Sequence, residues 1–181
     1  MLHRRSSHAV TLLQDGVLIT GGGAGGGRPW RHSRLRQAQI FDPSLNAIVA
    51  AGLMSKPREN HEALLLNNGK VLVVGGRTAN TFSDAGDSLI SVVELYDVNT
   101  FVFIFVGRLH YAREAPEVAP LGAGGAVVCL GETDVFRDVA LSNRIALVEY
   151  CDGTKTHRAK SVAHTASVDE VLYCLFNIGR K

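Results

Sequence analysis

Residues 58–76 read RENHEALLLNNGKVLVVGG, and the same arrangement stands twice more, as RSSHAVTLLQDGVLITGG at 5–22 and REAPEVAPLGAGGAVVCLG at 113–131. Each copy opens on an arginine (Arg5, Arg58, Arg113) and runs through a short strand-like stretch into a glycine-bearing turn. A second apolar stretch follows and ends in glycine. The turns are Asp15-Gly16, Asn68-Gly69 and Gly124-Gly125. Asp-Gly and Asn-Gly are strong hairpin signals because they take up positive φ at little cost. The arginines lie 53 and 55 residues apart, so the hairpin is the recurring part of a unit several times its own length.

The rest of the unit repeats as well. QAQIFDPSLNAIVAAGLM, SVVELYDVNTFVFIFVGRL and RIALVEYCDGTKTHRAKSV each hold a strand ending in an aromatic (Phe41, Tyr96, Tyr150). An aspartate turn comes next (Asp42, Asp97, Asp152), and then another extended run. The intervals from the closing glycine to the aromatic are 19, 20 and 19 residues (Gly22, Gly76 and Gly131 as starting points). Four short strands per unit of about 50 residues, with no sustained helical period, define an all-β propeller blade. The expected blades are 5–57, 58–112 and 113–160, with a partial fourth at 161–181 in a single domain spanning 1–181.

These residues resemble the Kelch repeat family, and the stretch His61–Gly76 is similar to the repeats of galactose-oxidase-like Kelch propellers. The likeness rests on the diglycines Gly21-Gly22 and Gly75-Gly76, the Arg-x-x-His before the first strand, and the aromatic-Asp turn. The third unit departs from it, with Gly131 alone and Pro116 in place of histidine, and the tryptophan usual after the third strand is absent. The resemblance implies a Kelch-type β-propeller segment of about three and a half blades. It also implies an interaction module that binds partners through loops at one face, or a catalytic relative of the galactose-oxidase or sugar-isomerase kind.

The run GVLITGGGAGGGRPWR at 16–31 invites a different reading, since Gly21-x-Gly23-x-x-Gly26 imitates a dinucleotide fingerprint and Gly22 to Gly27-Arg28 a damaged P-loop. A phosphate cradle needs a helix opening directly after the glycines. Here Arg28-Pro29 follows, with no apolar helical stripe and no Lys-Ser/Thr pair. In the second unit the equivalent diglycine leads to RTANTFSDAG, which has no phosphate pattern. The repeat glycines Gly21, Gly22, Gly75, Gly76 and Gly131 are therefore expected to be structural, at places where strands crowd and a Cβ does not fit.

Function should sit in the loops between the second and third strands, residues 23–36, 77–90 and 132–143, because long loops on a rigid scaffold carry recognition. The first is cationic. Arg28, Trp30, Arg31, Arg34 and Arg36, with Arg77 from the second loop, would suit a protein or peptide partner that is acidic or phosphorylated. The competing reading is a solvated charged loop. Arg5, His8, Arg58, His61 and Arg113 are candidates for the mouth of the central channel. They could either meet an anionic group there or hydrogen-bond neighbouring blades. No catalytic set and no metal or cofactor site emerges: the seven histidines are scattered, and Tyr96 and Tyr150 serve the repeat.

The bulk composition narrows the classes further. A net charge of +2 and one basic patch are a thin footprint for nucleic acid. No apolar run approaches the roughly 20 residues of a membrane helix. Three cysteines (Cys129, Cys151, Cys174) give no disulfide framework, and buried thiols in a reducing, cytoplasmic setting are expected. Propellers close with about four to eight blades, so the terminal blades would expose apolar faces and could self-associate. The strand count favours part of a longer propeller, or a degenerate relative of one, over an obligate ring of two.

Overall fold

The computed structural model describes residues 4–24, 33–78, 88–120, 125–129, 131–133, 149–151 and 156–158. All regular structure among them is β. No helix there is long and apolar enough to cross a membrane. The expected partial blade at 161–181, Arg28, Trp30, Arg31, Asp152 and Cys174 lie outside the described residues.

Three four-stranded antiparallel sheets follow one another along the chain. The first is β1 (Ala9–Leu12), β2 (Val17–Thr20), β5 (Gln37–Asp42) and β6 (Ala47–Leu53), in that spatial order. The second is β7 (Glu62–Leu65), β8 (Val71–Val74), β11 (Val92–Asp97) and β12 (Val102–Arg108). The third is β14 (Glu117–Pro120), β15 (Ala126–Cys129), β17 (Glu149–Cys151) and β18 (Thr156–Arg158). Short two-stranded pieces accompany the sheets: β3 (Gly23–Ala24) with β4 (Ser33–Arg34) and β9 (Arg77–Thr78) with β10 (Ser88–Leu89) between the second and third strands of their sheets, and β13 (Arg113–Glu114), just ahead of β14, with β16 (Glu132–Thr133), just after β15.

The sheets stack face to face. Strand β7 packs between β1 and β14, and β12 between β6 and β18, so inner strands meet inner strands and outer strands meet outer ones. This is an arc of a β-propeller. Two apolar clusters hold it. Leu18, Ile40, Met54, Val71, Val73 and Tyr96 fill the space between the first and second sheets. Leu72, Val74, Val93, Leu95, Ala126 and Val128 fill the space between the second and third. Strands β8 and β11 lie between two neighbours, so both faces are apolar and β8 is buried throughout. Full burial of one such aliphatic side chain is worth about 1.5–3 kcal/mol.

Register confirms the repeat residue by residue. Val10 faces Ile19, Ala63 faces Val73 and Val118 faces Val128 across the inner hairpins. Across the next pair, Val17 meets Phe41 and Val71 meets Tyr96. In the third sheet Tyr150 lies one residue before the end of β17, as Phe41 and Tyr96 do in β5 and β11, but the pairing is offset by one, with Ala126 opposite Cys151 and Val127 opposite Tyr150. The aspartate turns behave as read: Asp42 accepts from the amides of Ser44 and Leu45, and Asp97 from that of Asn99. These bonds hold both carboxyls below the ordinary range, for Asp42 chiefly through the Ser44 hydroxyl and for Asp97 chiefly through the Asn99 amide.

Candidate functional site at the inner end of the blades

Each blade begins with a tight entry into its inner strand. Ser7, Asn60 and Ala115 all adopt positive φ, a step that costs a non-glycine residue about 1–2 kcal/mol. A backbone ladder accompanies it: Ala115 donates to the Asn60 carbonyl and Asn60 to that of Ser7. Beside this ladder sit the repeat glycines. Gly22, Gly76 and Gly131 have φ of 95°, 95° and 87°. A Cβ on them would lie 2.6–2.7 Å from the carbonyl oxygens of Ser6, Glu59 and Glu114. The lone glycine of the third unit thus fills the place of the second glycine in the other two. Gly22 and Gly76 also donate at 2.8 Å to the carbonyls of Arg58 and Arg113 in the following blade.

The entry arginines of the first two blades point back into their own blades, whereas Arg113 Nε donates to the Tyr111 carbonyl at 3.5 Å. Arg5 Nη1 donates to the carbonyls of Gly21 and Gln37, and Arg58 Nη1 to those of Gly75 and Val92. Their side chains therefore tie the second and third strands of one blade together. The backbone carbonyls of Arg58 and Arg113 bond the preceding blade through Gly22 and Gly76. Arg58 additionally pairs with Glu94 at 2.6 Å, both side chains being almost wholly buried. Burial lowers the Arg58 pKa to about 10, against the opposing pull of Glu94. Glu94 also accepts the Ser55 amide at 2.9 Å, which links it to the first blade.

His61 shares a 2.8 Å hydrogen bond through Nε2 with the Thr20 hydroxyl of the preceding blade. Burial, with the charges of Arg58 and His8, lowers its pKa to about 3, so it is neutral at physiological pH. His8 and Arg5 are less enclosed, and burial lowers both from their ordinary values. Arg113 and His61, like Arg58, are buried, whereas Arg5 is half-exposed.

An acid–base network that the sequence reading missed crosses the blade boundaries. Glu59 Oε1 accepts from Arg34 Nη2 at 3.0 Å and from Arg77 Nε at 2.9 Å. Arg77 also reaches Glu114 at 3.3 Å, and Asn60 donates to the same carboxylate. Glu59 and Glu114 directly follow Arg58 and Arg113, so a repeated Arg-Glu pair was the available signal. Of the candidate partner-binding cations, Arg34 and Arg77 are thus engaged with carboxylates at the roots of their loops, while Arg36 is exposed. The third glycine of the opening run has its own reason: a Cβ at Gly23 would stand 2.5 Å from Glu59 Oε2. Among the described residues no group of three or more His, Cys, Asp or Glu is placed to hold a metal ion.

No family model matches the chain, and no curated protein matches it in sequence. The solved structure of YjhT, a propeller-like protein, does match, with a TM-score of 0.66 at 14% identity over 88% of this chain. The chain spans about half the length of that structure, covering 53% of it. Likeness at this identity concerns the fold, and it agrees with the stacked sheets: the chain is an all-β propeller arc.

Proposed function

We propose that the chain is a Kelch-type interaction module that captures an acidic or phosphorylated protein segment with the loops between the second and third strands of its blades. The observation that carries this reading is the common root of those loops. They leave the sheets at Gly23, Arg77 and Glu132, and these residues bridge to Ser6, Glu59 and Glu114 at equivalent points. The roots of the three loops thus occupy equivalent places in the three blades. The Arg34–Glu59–Arg77–Glu114 network braces their bases, which leaves the cations farther along the first loop for recognition. Arginine suits carboxylate or phosphate because its planar fork donates two parallel hydrogen bonds.

The test is binding of an acidic phosphoserine peptide, with its unphosphorylated and lysine-rich counterparts as controls. Replacing Arg28, Arg31 and Arg36 with Ser spares the Arg34–Glu59 pair and should weaken capture at least tenfold, as loss of even one charge-assisted bond of about 1.5–3 kcal/mol would. Unchanged binding would make the loop a solvated surface and end this reading.

A further inference from the structure

The outer strands of the three blades differ where their backbones correspond. Gln39 faces Ile19 and Ala50, as Glu94 faces Val73 and Phe105, so Gln39 matches Glu94 and Ala50 matches Phe105. In the third blade Tyr150 faces His157, as Tyr96 faces Phe103. The same stretch of outer strand thus reads Ala47-Ile48-Val49-Ala50 in β6, Val102-Phe103-Ile104-Phe105 in β12 and Thr156-His157-Arg158 in β18.

An outermost strand has a free edge, with the N–H and C=O groups of alternate residues turned outward. Proteins blunt such edges with charge or proline. Strand β18 carries a histidine and an arginine, and β6 is rich in small residues. From Phe101 to Gly107 the second blade has neither charge nor proline, which is the composition of segments that pair most readily. Its side chains are bare as well: Phe101 is 45%, Val102 49%, Ile104 47% and Phe105 57% exposed. Phe101 takes positive φ at the place where Asn46 does in the first blade. Asparagine accepts that conformation and a bulky ring resists it, so an exposed aromatic is held there against local preference. Strand β12 belongs to the middle blade, and residues 88–120 are described throughout. The edge is therefore independent of what lies beyond either end of the arc.

We propose that β12 of one chain pairs edge to edge, antiparallel, with β12 of a second copy about a two-fold axis at Phe105. Charge selects both the occupant and the register. The exposed Arg108 ends the strand, and at its start Val102 faces Asp97 across the hairpin. A dyad at Phe105 puts Arg108 of each copy opposite Val102 of the other, in one cross-strand row with Asp97 and within reach of its carboxylate. The two arginines lie at opposite ends, so no like charges meet. The Phe105 rings stand opposite each other across the axis as a cross-strand aromatic pair. A two-fold contact of this kind closes on itself at two chains. One strand pair buries less than about 1,200 Å², the size of transient contacts, so dilute protein is single with β12 bare and concentrated protein is paired.

Light scattering on the full chain across a dilution series should show the mass rising from one chain to two and no further. Phe105→Lys, at a site exposed in the single chain, should hold it at one chain throughout. Ala50→Lys, at the matching site of the first blade, should leave the rise unchanged. Arg108→Glu should move the midpoint several-fold upward in concentration. Oxidised Phe105→Cys should yield a disulfide-linked pair beyond whatever the parent cysteines form, and Ala50→Cys should not. A single chain at every concentration overturns the proposal and leaves the strand to an extended segment of another protein. So does pairing that survives Phe105→Lys or is lost with Ala50→Lys, a midpoint unmoved by Arg108→Glu, growth past two chains, or no added cross-link with Phe105→Cys.

Discussion

In the second blade the entry arginine lies between two carbonyls and a carboxylate; in the first, Arg5 meets the same two carbonyls but an amide, Gln39, stands at the carboxylate's position. The backbones of the two blades follow one plan, down to the glycine φ values and the turn hydrogen bonds. Their side chains differ because the second blade is enclosed on both faces. Enclosure demands that a buried charge be paired, and Arg58–Glu94 meets that demand. Arg5 is half-exposed as a residue and has no carboxylate beside it, although its Nε and Nη2 are buried without a hydrogen-bond partner. A repeat thus conveys geometry from unit to unit, while each unit's burial selects its chemistry.

Several substitutions would break or sharpen this contrast. Arg58→Ala leaves Glu94 as an uncompensated buried charge and should cost about 3–5 kcal/mol. Arg5→Ala, which strands no carboxylate, should cost about 1–2 kcal/mol. Denaturant unfolding of both variants measures the gap, and equal losses would show that the two arginines are not differently enclosed. Gly22→Ala and Gly76→Ala should cost about the same as each other, roughly 2–4 kcal/mol from left-handed strain plus the clash with a carbonyl. Unequal losses would mean that the shared backbone frame is less alike than its angles.

Acid should separate the two histidines. Below pH 6.5 an unfolded His61 takes up a proton that the folded residue, with its pKa lowered to about 3, does not bind. The stability present above pH 6.5 is therefore lost as pH falls from there toward 3, by about 1.4 kcal/mol per unit. Between pH 7 and 5 the loss due to His61 should reach about 2 kcal/mol. His61→Gln should flatten that slope, and His8→Gln should change it much less. Slopes altered equally would place both residues in one environment. The smallest effect belongs to the outer strand: Val102→Thr, at an exposed position of β12, should stay within about 0.5 kcal/mol. A larger loss would mean that something covers that strand.

Much of the fold was legible from residues alone. Asn68-Gly69 and the diglycines marked a turn and strand ends because only a few residue types accept the positive φ of Gly69, Gly21, Gly22, Gly75 and Gly76, and that restriction is local. Asp15-Gly16 marked a turn as well, but Gly16 has no positive φ and is needed because a Cβ would stand 2.6 Å from the Phe41 carbonyl oxygen. Tyr150 sits one residue before the end of its strand, as Phe41 and Tyr96 do, but the one-residue offset in its pairing with β15 was not legible, because counting residues through a loop does not measure register. The Glu59–Arg77–Glu114 network escaped notice because its members come from different blades.

The order of strands, the repeat period and the structural duty of the glycines were determined by sequence alone, since each depends on backbone conformations that neighbouring residues dictate. Which arginine requires a carboxylate and which histidine stays neutral were decided only by the stacking of the blades. Burial and charge pairing depend on groups far apart in the chain, and their energies exist only once those groups share a space without water.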